Sequence, residues 1–146
     1  MLAHWNAVLP SLLLRATREE RFDATMEALS KFFIEDPDRA RLMLRETLDR
    51  PEHMRALLKE FVKPWIELLG EQLERAKSQG MVQPCVDPEA YAIQVISMAV
   101  SGTAVIDTLQ TILPNDPVRG TTRERHVREL IRVARSSLYT DKDAER

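Results

Sequence analysis

The chain has 146 residues, a formal net charge of -2 and charged residues at 30% that are interspersed in sign. That is the size of one domain with a real core, and its charge balance excludes general nucleic-acid binding through a basic surface. A single cysteine, Cys85, excludes an internal disulfide and fits a reducing compartment, so a cytoplasmic location is expected.

In chain order, Leu2 to Thr17 carries Trp5, Val8, Leu9 and Leu12 to Leu14 and reads as a helix interrupted near Pro10. Residues 1–16 are expected to form a linker-type helix on the core, 17–140 the main domain, and 141–146 a frayed polar tail. The start lacks a basic segment followed by a long apolar run, so no signal peptide is read there. Thr17-Arg-Glu-Glu20 has the form of a capping box, and the helix after it places Phe22, Met26, Leu29 and Phe33 at helical spacing. Asp36-Pro37-Asp38 opens a short helix with Ala40, Met43, Leu44, Thr47 and Leu48 on one face.

Pro51 opens a long helix expected to reach about Gln79. Its stripe runs Met54, Leu57, Leu58, Phe61, Trp65, Leu68, Leu69, Leu73 and Ala76, and Pro64 lies inside it. The periodicity continues through the proline, which predicts a kink rather than a break. Gly80 is the expected C-cap. After a linker at Met81 to Val86, Asp87-Pro-Glu starts a helix predicted over Asp87 to Leu113. It is apolar on nearly every face. Such a helix is buried on all sides. A short chain has few helices to surround it, so a second copy or a ligand is expected to supply some of the cover. Pro114 to Gly120 reads as a loop. Thr121-Thr-Arg-Glu124 is a second capping box, opening a last helix with Val127, Leu130, Ile131, Ala134 and Leu138 on one face. No segment alternates like a strand, so the fold class expected is all-α. The window from Ala92 to Ile112 has the length of a membrane span, but Gln94, Asp107 and Gln110 argue against one.

Reactive constellations are scarce. His4, His53 and His126 fall in different helices, and neither the Glu-x-x-His nor the His-Glu-x-x-His pattern occurs. The four glycines form no phosphate-binding loop, and Cys85 has no adjacent activating group. No metal, cofactor or enzymatic activity is expected. Phe61 and Trp65 beside Pro64, with Tyr91, Gln94 and Met98 on one face of the apolar helix, outline a pocket that Phe22, Met26 and Phe33 could close. Ordinary core packing accounts for the same residues at least as readily. Ser101-Gly-Thr-Ala104 is a patch of small residues on which a second helix can approach closely. With the last helix it would make half of a four-helix bundle across a two-fold axis, unless a helix of the same chain covers it.

The order of these signals resembles the C-terminal ligand-binding and dimerisation domain of the tetracycline-repressor (TetR) family of bacterial transcriptional regulators. The residues that carry it are Pro37-Asp-Arg-Ala-Arg-Leu-Met-Leu44, the long helix from Pro51, and Gly80-Met-Val82 followed by Asp87-Pro-Glu-Ala90 and the apolar helix. The resemblance implies an antiparallel helical domain whose last two long helices form a four-helix bundle in a homodimer. It also implies a small apolar or aromatic effector held between the middle helices. By position, the long kinked helix and the front half of the apolar helix fall at the pocket walls, so together with the pocket outlined above the expected ligand-binding residues are Met26, Phe33, Phe61, Trp65, Leu68, Tyr91, Gln94 and Met98. Ala99, Val100, Thr103, Ala104 and Ile106, with Val127, Leu130, Ile131 and Ala134, become the dimer interface. The family's helix-turn-helix head has no counterpart here, so DNA contact is expected only through a missing N-terminal domain. A different function on the same helices would be an interaction protein that pairs with full-length relatives without a ligand.

Overall fold

The computed structural model describes residues 19–140, and these are all-α, with no strand among them beyond two isolated bridges. The helix expected over Leu2 to Thr17, the first capping box and the tail from Asp141 lie outside the described residues. Helices α1 (Glu19–Ile34) and α2 (Pro37–Asp49) are followed by α3 (Pro51–Leu57), which runs through a π turn (Leu58–Val62) into α4 (Lys63–Ser78). Then come α5 (Pro88–Ala104), the short α6 (Ile106–Leu109) and α7 (Thr122–Leu138).

The helix ends follow from local chemistry. Asp87 accepts a hydrogen bond from the Ala90 amide at 3.1 Å, capping α5. At α7 both halves of the capping box are formed. Thr121 Oγ1 accepts from the Glu124 amide at 3.2 Å, and Glu124 Oε2 accepts from the Thr121 amide at 2.8 Å. Gly80, at φ +75°, closes α4: its amide donates to the Lys77 carbonyl and that of Met81 to the Ala76 carbonyl, both at 3.0 Å. This is the Schellman arrangement, and the left-handed residue it requires favours glycine.

The core gathers Phe22, Met26, Leu29 and Phe33 of α1, Leu69 and Leu73 of α4, Val95 and Ala99 of α5, and Leu130 and Leu138 of α7. Each large side chain so buried contributes about 1.5–3 kcal/mol. Helix α5 packs against α1, α2, α4 and α7 at once, which explains its apolar composition. Asp23 near the start of α1 pairs with Arg135 near the end of α7 at 2.7 Å, so these two helices run antiparallel. The linker after α4 is fastened to the end of α7. Val82 is fully buried, and Gln83 donates its amide to the Leu138 carbonyl at 2.9 Å.

The central helix is shorter than its composition predicts. It stops at Ala104 rather than running to Leu113, and the chain resumes after Val105 as α6. The break leaves the Ala104 carbonyl free to accept from Arg41 Nε at 3.2 Å. It also re-aims the chain so that Ile106 is buried while Asp107 faces Arg41 and Arg123. A continuous helix would fix these neighbours at one register; the interruption satisfies an apolar and a charged residue side by side.

Candidate functional site

Pro64 shapes the site. It has no amide hydrogen, and its ring crowds the carbonyl four residues back, which an α-helix cannot accommodate without adjustment. The chain responds with a π turn: the Lys63 amide donates to the Leu58 carbonyl, five residues earlier. The turn presents Leu58, Val62 and Ile66 at four-residue spacing toward a cavity of about 640 Å³. Met43, Leu44 and Thr47 of α2 form the second wall, and Ile93, Ile96 and Val100 of α5 form the third. Ser97, Ser101, Lys59, Lys63, Glu67 and Glu89 complete the lining. The cavity has the volume of a small-molecule site.

It opens to solvent, since Ile93 is 50% and Leu58 38% exposed. Its polar groups are mostly satisfied within the protein. Thr47 Oγ1 donates to the Met43 carbonyl at 2.7 Å, and Ser101 Oγ donates to the Ser97 carbonyl at 2.6 Å. Lys63 donates to Glu67, and this bond, followed by the field of Glu67 and then of Glu89, holds the Lys63 ammonium above its ordinary pKa.

The eight ligand-binding positions selected from sequence lie elsewhere, and none of them lines this cavity. Met26 and Phe33 are buried in the main core, with Phe33 set edge-on to Phe32 at 5.4 Å. Phe61, Trp65 and Leu68 are half-buried on the adjacent face of the long helix. Tyr91 fastens α5 to α7, donating from Oη to the Ala134 carbonyl at 2.6 Å, and burial pushes its phenol upward in pKa. Gln94 is exposed, and Met98 packs against the core. The usable signal was the aliphatic stripe Leu58, Val62 and Ile66 edged by Lys59, Lys63 and Glu67. Aromatic residues drew attention to the neighbouring face instead.

The expected interface positions divide in two. Ala99, Val100, Thr103, Ala104, Ile106, Leu130 and Ala134 are all buried within one chain, so these side chains are already covered before any partner arrives. The small-residue patch serves contact inside the chain: a Cβ on Gly102 would stand 2.2 Å from the His126 ring of α7. Val127 and Ile131 are half-buried and line a shallow cleft of about 510 Å³ between α1 and α7. The buried Ser30 hydroxyl, which has no hydrogen-bond partner among the described residues, lines the same cleft. Exposed apolar side chains follow α5 at Val105 (41%), Ile112 (79%) and Val118 (94%), and others stand on α2 at Leu42 and Leu48.

Among the described residues no three His, Cys, Asp or Glu side chains gather as a metal-holding group, and no helix is long and apolar enough to cross a membrane. In all-α domains, small-molecule sites occur preferentially between helices, which is where this cavity lies. The chain belongs to the family described as "Tetracyclin repressor-like, C-terminal domain", whose model matches residues 19–133. That family comprises the regulatory, effector-binding and dimerising domains of TetR-like transcriptional regulators. No curated protein and no solved structure matches the chain.

Proposed function

We propose that this domain binds a small apolar effector in the cavity between α2, α4 and α5, and that it works as a homodimer in the cytoplasm without catalysis. The observation that carries the reading is the cavity itself. A space of about 640 Å³ with an aliphatic lining, open to solvent, belongs to a domain whose family is regulatory. Apolar surface left in contact with water is unfavourable by roughly 25 cal/mol per Å², and an apolar occupant recovers that energy. The second copy docks on the exposed apolar side chains between α5 and α7, at Val105, Ile112 and Val118. In this reading the domain itself leaves operator DNA alone.

The test is displacement of the neutral dye Nile red from the full chain by a panel of apolar compounds, with light scattering during gel filtration on the same samples. Binding that is lost in Ile93→Trp, a substitution that fills the cavity from its open side, is the expected result. A mass of twice 16.8 kDa that falls to 16.8 kDa in Ile112→Glu is expected for the dimer. Dye binding indifferent to Ile93→Trp would refute the cavity, and a monomer at all concentrations would refute the pairing.

A further inference from the structure

The cavity also carries information on what it selects. Its apolar lining is aliphatic throughout: methionine, leucine, isoleucine and valine, with none of the aromatic side chains of the described residues reaching it. A planar aromatic ligand gains most from stacked or edge-on rings, and an organic cation gains from aromatic faces. This lining offers neither. It suits a flexible saturated chain, which adapts to branched and thioether walls by dispersion contact alone.

The charges on the lining are not balanced alike. Lys63 and Glu67 neutralise one another by direct contact. Glu89 lies in the field of Lys63 and in the first turn of α5, where the positive end of the helix dipole compensates a carboxylate. Lys59, one turn before Lys63, has no ion pair among the described residues, yet it lines the cavity. The hydroxyl groups of Thr47 and Ser101 donate to carbonyls of their own helices, so their protons are not available to a head group. The lining carries two ammonium groups and two carboxylates, and of these Lys59 alone has neither an ion-pair partner among the described residues nor a helix end that compensates it.

We propose that the cavity takes an aliphatic amphipath with an anionic head, its saturated chain between the walls of α2, α4 and α5 and its head group paired with Lys59. This rests on the reading of the cavity as the effector site and narrows it to one class of ligand. A carboxylate and a phosphate share the chemistry Lys59 recognises, as a compact point charge rather than a planar fork.

The experiment measures displacement of Nile red from the full chain by dodecanoate, dodecyl phosphate, dodecanol and dodecylamine at low and high salt. Either anion should bind about tenfold tighter than the alcohol and the amine at low salt, with the margin shrinking as salt rises. The tighter of the two anions identifies the head group. Lys59→Gln, an exposed substitution that leaves the core alone, should remove most of that margin without weakening dodecanol. An amine or alcohol that binds as tightly as both anions, or a margin that survives Lys59→Gln, would overturn the assignment of the anionic class while leaving the cavity standing. Failure of all four to displace the dye, with dye binding unchanged in Ile93→Trp, would overturn the cavity reading and this inference together.

Discussion

Arg41 Nη2 lies 2.6 Å from Asp107 Oδ2, and the same guanidinium reaches the Ala104 carbonyl through Nε at 3.2 Å. One side chain of α2 thus holds both sides of the break that ends α5. Asp107 also accepts from Arg123 of α7 at 3.4 Å, so a single carboxylate joins a cavity wall to the last helix. An occupant that displaced α2 would pull on this junction first.

Substituting Arg41→Met should therefore lower the melting temperature and loosen α2 more than Asp107→Asn does, because only the former also strips the Ala104 carbonyl of its donor. Exposed ion pairs weaken with salt, so the difference between Asp107→Asn and the parent should shrink at high ionic strength. The hydrogen bonds from Arg41, then Arg123, hold the Asp107 carboxyl below the usual carboxylate range. A depressed carboxylate stabilises the fold above its unfolded pKa, and that contribution is lost as pH falls through the folded value. Thermal melts in acid should show the two proteins converging. A parent and variant that keep the same gap at every salt and pH would refute the junction.

The contact between Gly102 and His126 predicts a second outcome. An alanine at 102 would place its Cβ 2.2 Å from His126 Cε1, far inside contact distance. Overpacking of this kind costs about 1–3 kcal/mol, only partly offset by the better helix propensity of alanine, worth about 1 kcal/mol. Gly102→Ala should unfold at lower urea, and adding His126→Ala should restore stability, since the clash is between these two residues. Equal destabilisation in the single and double variants would place the strain elsewhere.

His126 itself should make the domain acid-sensitive. Its Nε2 is buried with no hydrogen-bond partner among the described residues, and desolvation lowers its pKa below the ordinary histidine value. The folded state therefore resists protonation while the unfolded chain does not. Stability is full above pH of about 6.5, the unfolded value, and falls as pH drops from there toward the folded pKa. Urea unfolding between pH 7.5 and about 5 should show this slope, and His126→Leu should flatten it. A slope that persists in His126→Leu would assign the proton uptake to another group.

Much of the fold was legible in the sequence because its signals are local. The Asp87 cap, the Thr121–Glu124 capping box and the Gly80 terminus each depend on a few adjacent residues, and each forms as read. The end of α5 was not legible, because what stops the helix at Ala104 includes an arginine 63 residues away. The cavity was missed for a related reason. Periodicity locates a stripe but not which neighbour it faces, and a π turn shifts the register by one residue within a helix that otherwise looks continuous. Apolar positions such as Ala99, Leu130 and Ala134 were recognisable as buried, but sequence does not say whether the cover comes from the same chain or another. The structure covers them from within.

The π turn yields the last prediction. If Pro64 forces the turn, Pro64→Ala restores an amide that can bond the Glu60 carbonyl and makes the plain α register available. A proline inside a helix is less favourable than alanine by about 3 kcal/mol, so the variant should be more stable, by a fraction of that amount. The gain comes with a rotation of Leu58 and Val62 relative to Ile66, since removing one residue from a turn swings the preceding segment by about 100°. The cavity would lose one of its three walls, and Nile red binding should weaken by about tenfold even as the melting temperature rises. Stability and binding would then move in opposite directions. Unchanged binding in a stabilised Pro64→Ala would mean that packing of Leu58 and Val62 against α2, rather than the proline, sets the turn.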